Sequence, residues 1–165
     1  MKKSFKETYS TILYILLGIL LAVGINQALA LGLSTDLPIV AVESNSMIPT
    51  FRRGDILILQ GFPAEQLKVG DIIVFSPPNQ EIPVVHRIVE INPDGTFQTK
   101  GDANNGQLPF EKAIQPSQIK GKEILIIPYL GWVKIGLNEF ILPNIIFILI
   151  VLLAAYVVYT QLFKK

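Results

Sequence analysis

The sequence predicts a mostly β protein, a small sheet domain held between an N-terminal and a C-terminal membrane-spanning helix. Three observations predict it. Residues 12–25 and 145–158 are apolar runs without a single charge, and each continues outward through mostly apolar sequence. Between them come short β-branched runs set off by Gly, Pro and Asn corners. Lysines stand outside both apolar runs: Lys2, Lys3 and Lys6 before the first, Lys164 and Lys165 after the second.

Each apolar run is long enough to cross a hydrocarbon core roughly 30 Å thick as a helix of about 20 residues. Neither carries the polar stripe of a helix packed on a soluble core. The flanking lysines put both ends in the cytoplasm and the middle segment outside. The expected organisation is therefore a cytoplasmic N-terminus over residues 1–10, a signal-anchor helix over 11–33, an extracytoplasmic domain over 34–138, a second spanning helix over 139–163 and a cytoplasmic end at 164–165. The first run also reads as a cleavable signal sequence, because Ala28-Leu29-Ala30 has the small-x-small pattern of a cleavage site. Its apolar character resumes at once through Leu33, which favours a retained anchor.

Between the spans, Ile39-Val40-Ala41-Val42 reads as a first strand. Gly54-Asp55 and Gly70-Asp71 are similar corners, each opening a strand: Ile56-Leu57-Ile58-Leu59 and Ile72-Ile73-Val74-Phe75. Phe62-Pro63 and residues 66–69 read as a loop, and Pro77-Pro78-Asn79 as a strand end. Residues 84–91 and 96–100, joined by Asn92-Pro93-Asp94-Gly95, form a hairpin. Residues 118–127 give a last strand, and Pro128-Tyr129-Leu130-Gly131-Trp132 returns the chain to the membrane surface, where Trp and Tyr are favoured.

Composition excludes several functions. Residues 36–139 hold nine basic and twelve acidic side chains, a net of −3 with no basic cluster, so nucleic acid is not an expected partner. There is no cysteine, which removes thiol chemistry and disulfides. One histidine without cysteine is a poor zinc donor set, and no metal or cofactor is expected.

The chemistry-bearing stretch is Glu43-Ser44-Asn45-Ser46-Met47-Ile48-Pro49-Thr50. Pro49 fixes its own φ and restricts Ile48, so the chain leaves the first strand on a defined path with serine hydroxyls on a turn. A serine needs a base to act as a nucleophile, and His86 is the only imidazole in the chain. Strand alternation puts His86 on the face of Val84 and Ile88, with Val85, Arg87 and Val89 opposite. A carboxylate to orient the ring could come from Asp102, in the Gly-Asn-rich loop after the hairpin.

Taken in order, Ser44-Asn45-Ser46-Met47-Ile48-Pro49-Thr50, Gly54-Asp55-Ile56, Gly70-Asp71-Ile72, His86-Arg87-Ile88, Thr99-Lys100-Gly101-Asp102-Ala103-Asn104-Asn105 and Ile127-Pro128-Tyr129-Leu130-Gly131 resemble the boxes of type I signal peptidases. His86-Arg87 resembles the endoplasmic-reticulum and archaeal branch, in which histidine replaces the lysine base. The resemblance implies a membrane-bound serine endopeptidase, with a peptidase domain of the signal peptidase type, that removes signal peptides from exported precursors after small-x-small sites. It assigns Ser46 as nucleophile and His86 as base, and makes Ser44 a substrate-binding residue whose hydroxyl joins the Ser46 N–H in an oxyanion hole. It further implies a two-span protein of the cell (plasma) membrane, active on the extracytoplasmic face, whose partners are signal-bearing precursors, membrane lipid and the secretion machinery.

The sequence departs from the branch at one place. A second aspartate usually follows the Gly-Asp aspartate by six positions, and here that position is Leu108. Asp102 is the favoured third member; Glu111 after a loop shift, or a Ser–His dyad, are the alternatives. The competing functions are a processing peptidase for a narrow set of precursors and a non-catalytic membrane-anchored binding module.

Overall fold

A computed structural model describes residues 2–78 and 80–163. Lys164 and Lys165, expected to mark the cytoplasmic end, lie outside the described residues, as does Asn79 at the expected strand end.

All six expected strands are present within a residue or so of their predicted bounds. They are β1 (Ile39–Ala41), β2 (Ile56–Gln60), β3 (Ile72–Phe75), β4 (Val84–Ile91), β5 (Phe97–Lys100) and β6 (Ile119–Ile127), in one sheet of order β1-β2-β6-β3-β4-β5. Every pairing is antiparallel. The stretch read as a loop after Phe62 contains one 3-10 turn, Ala64–Gln66.

Strand alternation divides the core between the two faces. Ile72 and Val74 of β3 pack with Val42, Met47 and Leu57 on one side. Ile73 and Phe75 pack with Ile88, Phe97 and Ile114 on the other. Full burial of one such side chain contributes about 1.5–3 kcal/mol. Met47 is only 1% exposed, so the residue after Ser46 pins the serine turn to the sheet.

Helix α1 (Lys2–Gly32) precedes the sheet. After β6 come α2 (Trp132–Gly136), a wider turn over Leu137–Ile141, and α3 (Ile145–Phe163). Within α1 and α3, Glu7–Gly32 and Ile145–Leu162 are long and apolar enough to cross a membrane, and no part of either is buried in the protein.

The junctions are well tied. Gly61 N–H donates to the Leu33 carbonyl at 2.8 Å, which docks the end of α1 on the end of β2. At the other junction Gly54 has φ +94°, and a Cβ there would lie 2.0 Å from Trp132 Nε1. Only glycine meets both demands. Asp55 then accepts from Arg52 N–H at 2.9 Å and from Tyr129 N–H at 3.0 Å, clamping the serine turn to the chain that enters α2.

Candidate active site

Three parts of the chain bring the site together: the turn after β1, the strand β4, and the segment that follows β5. His86 sits on β4 opposite Ile73 of β3 and is 4% exposed. Its Nε2 lies 3.0 Å from Ser46 Oγ. Its Nδ1 is hydrogen-bonded to Glu111 Oε1. With Nδ1–H donating to the carboxylate, Nε2 is left as the acceptor for the Ser46 hydroxyl, the tautomer a general base requires.

Glu111 is fully buried, and its carboxylate is fully engaged. Thr99 Oγ donates to Oε1 at 3.2 Å, and Leu108 N–H donates to Oε2 at 2.7 Å. The 3-10 turn Pro109–Glu111 creates this arrangement. Proline at its first position needs no N–H partner there, and the turn swings Glu111 inward while Leu108 remains about half exposed.

Asp102, the favoured third member, makes its hydrogen bonds to other groups than His86. It accepts from Arg87 Nε at 2.9 Å and from Nη2 at 2.7 Å, and Thr50 Oγ donates to it at 2.5 Å. The physical reason is strand alternation: Arg87 follows His86 and points to the other face of β4, and Asp102 pairs there. The bidentate guanidinium contact is the main cause holding the Asp102 carboxyl below the usual carboxylate range. Arg87 Nη1 also donates to the Gly70 carbonyl at 2.8 Å.

The Gly-Asp-Ala box instead shapes the nucleophile's surroundings. Ala103 N–H donates to the Ser46 carbonyl at 2.8 Å. A Cβ on Gly101 would stand 2.7 Å from that same carbonyl oxygen and 2.8 Å from His86 Nε2. The box therefore needs glycine here for close approach to the reacting pair.

Ser44 Oγ lies 3.2 Å from Ser46 Oγ. Among the described residues the Ser46 N–H has no hydrogen-bond partner. The Ser46 N–H is thus free for a ligand oxygen, and the Ser44 hydroxyl can rotate to one by giving up its contact with Ser46 Oγ. The serines, His86, Asn104 and Leu108 line a groove of about 690 Å³, flanked by Ala41 and Val42 on one side and Val84 and Val85 on the other. A larger cavity of about 950 Å³, between the end of α1 and the ends of β2 and β6, contains none of these residues.

The sequence offers Glu111 only as an alternative to Asp102, and gives Thr99 and Asn104 no individual role beyond their place in the Thr99–Asn105 box. The signal for Glu111 was the Leu108-Pro109-Phe110-Glu111 order, in which a proline-opened turn carries the acid three positions past the expected one.

Comparison with known proteins identifies the family. The family profile "Signal peptidase, peptidase S26" matches residues 10–102. The signal peptidase complex catalytic subunit SEC11C of Rattus norvegicus is 32% identical, over 94% of this chain and 85% of that protein. The signal peptidase complex catalytic subunit sec11 of Dictyostelium discoideum is 37% identical, over 77% of this chain and 74% of that protein. With a serine on a rigid turn, an imidazole at hydrogen-bond distance and these relatives, the chain belongs to the signal peptidase family, peptidase S26, and is a serine endopeptidase that removes signal peptides from precursor proteins.

Proposed function

We propose that Ser46 is the nucleophile, His86 the general base and Glu111 the carboxylate that orients it, in an enzyme that cuts after small-x-small sites. The observation that carries this reading is the chain of contacts from Ser46 Oγ through His86 Nε2 and Nδ1 to Glu111.

The reaction follows from that chain. Ser46 Oγ attacks the scissile carbonyl carbon while His86 Nε2 takes its proton. Glu111 stabilises the imidazolium that forms. The carbonyl oxygen becomes an oxyanion, met by the Ser44 hydroxyl and the Ser46 N–H. One such donor is worth about two to three powers of ten in rate. The imidazolium then protonates the leaving amine, the C–N bond breaks, and an ester on Ser46 remains. Water, deprotonated by His86, hydrolyses that ester and frees the signal peptide.

Substrate lies in the groove as an extended strand between residues 41–44 and 83–85, with backbone hydrogen bonds providing affinity. Alternate side chains then point the same way, so the groove reads the first and third residues before the cut.

In this reading residues 1–10 and 164–165 are cytoplasmic, 11–33 and 139–163 span the membrane, and 34–138 form the peptidase domain outside. Support comes from the lysine placement and from two apolar helices with no buried part. Ser46 follows Leu33 by only thirteen positions, which holds it at the membrane surface where a signal peptide emerges. Since the rat and Dictyostelium relatives are named as subunits of a signal peptidase complex, this chain is expected to work beside the secretion machinery. Membrane fractionation tests the further expectation that the membrane is the cell membrane.

The test of the mechanism is cleavage of a precursor by Ser46→Ala and His86→Ala. Both should lose activity while remaining folded and inserted. Near-normal processing by either removes the serine–histidine mechanism.

A further inference from the structure

The Asn104 side chain lies beside the reacting groups and has no part in the steps above. Its Nδ2 would be 2.7 Å from a Cβ on Gly101, the same point that lies 2.7 Å from the Ser46 carbonyl oxygen and 2.8 Å from His86 Nε2. The three atoms therefore converge on one small region, and Asn104 lines the groove together with Ser46 and His86.

The backbone of Asn104 is fixed on both sides. Its N–H donates to the Gly101 carbonyl at 3.0 Å, and its own carbonyl accepts from Lys100 Nζ at 3.2 Å. Its carboxamide, by contrast, has no hydrogen-bond partner among the described residues. A partly buried primary amide on a rigid turn, with two donors and an acceptor unused, is arranged to meet a peptide group of a ligand.

The proton path says which part of the ligand that is. His86 Nε2 hands its proton to the leaving amine, so the residues after the scissile bond begin next to Nε2. Ser44 stands with the oxyanion donors. Asn104 stands beside Nε2. We propose that Asn104 is a substrate-binding residue for the leaving-group side, its Nδ2 donating to a backbone carbonyl among the first residues after the cut. This rests on the roles given to Ser46 and His86.

One neutral side-chain hydrogen bond corresponds to about three- to tenfold in kcat/KM. The experiment compares two substrates on the full-length protein in detergent. One is a peptide with several residues on both sides of an Ala-x-Ala site, and the other ends at that alanine with a fluorogenic arylamide leaving group. Asn104→Ala and the shape-preserving Asn104→Asp should each lose about three- to tenfold in kcat/KM on the spanning peptide. On the arylamide, which has no peptide carbonyl there, each should lose at most about a third of that. Equal losses on both substrates, no loss on either, or full activity of Asn104→Asp overturns the proposal. Ser46→Ala run in parallel separates the two claims: its inactivity upholds the nucleophile, and persistent cleavage by it brings down the mechanism rather than the Asn104 contact alone.

Discussion

Replacing Glu111 by glutamine keeps the side chain's shape and exchanges one carboxylate oxygen for a donor. In the wild type Leu108 N–H donates to Oε2, and Thr99 Oγ and His86 Nδ1 meet Oε1. The Leu108 amide can only donate, so it fixes the oxygen of a glutamine at the Oε2 position. The glutamine NH₂ then faces His86 and Thr99. Thr99 adapts, since a hydroxyl can accept, but Nδ1 must become an acceptor as well. That forces the imidazole proton onto Nε2, the atom that has to take the Ser46 proton. The residue is fully buried, so water does not substitute for the lost acceptor. In serine–histidine sites the wrong tautomer costs about four powers of ten in kcat. Steady-state cleavage of a synthetic precursor peptide measures it, with thermal melting to confirm folding. Asp102→Asn is the comparison. Its carboxylate touches Arg87 and Thr50 rather than His86 and is partly exposed, so its loss should cost about 1 kcal/mol or less in stability. Its effect on rate should be correspondingly small. A larger rate loss for Asp102→Asn than for Glu111→Gln refutes the assignment of the acid.

Three other predictions follow from the same contacts. Gly101→Ala should reduce kcat by about a hundredfold or more, because the new methyl displaces the Ser46 carbonyl or the His86 ring; kcat within a few-fold of wild type would mean the loop yields without moving either. Asp102 has its carboxyl held low by Arg87, so the stability it contributes is complete above the ordinary aspartate value of about 4 and disappears as pH falls through the lower native value. Melting curves should then show a constant gap between wild type and Asp102→Asn above about pH 4 that closes in stronger acid; a gap that widens in acid contradicts the pairing. Residues 1–30 should remain attached, because Ala28-Leu29-Ala30 lies inside α1, which continues to Gly32, whereas a cleavable site must be extended. Intact mass of protein from membranes checks this, and a main species beginning at Leu31 that is missing from Ser46→Ala would contradict it.

Most of the fold was legible because its signals are local. Gly-Asp corners, the Asn92–Gly95 turn and β-branched runs bound each strand, and the two long apolar helices announce themselves by length and lack of charge. That Ser46 and His86 could meet was legible for a related reason: one lies on a proline-bounded turn and the other is the chain's only imidazole. Which carboxylate meets the ring was not, because that depends on how two loops close. Asp102 is nearer in sequence to a recognisable box, but the neighbouring Arg87 offers it two charge-assisted hydrogen bonds on the opposite face of β4. Glu111 reaches the ring only because a three-residue turn reverses the chain after Leu108. Arg87 beside His86 was the available hint that Asp102 had another partner. The pairing of β6 between β2 and β3 was also beyond local reading, since it joins segments about fifty residues apart or more.

If Ser46 is the nucleophile, this chain by itself cuts signal peptides and loses that activity with the serine hydroxyl. The most direct measurement incubates the purified, detergent-solubilised protein with a precursor bearing one Ala-x-Ala site and identifies the new amino terminus by mass spectrometry. A single cut after the second alanine is expected, with resistance when that alanine is made bulky and no product from Ser46→Ala. Product of the same amino terminus from Ser46→Ala, or an intact precursor with wild type at any pH where the protein is folded, would contradict it.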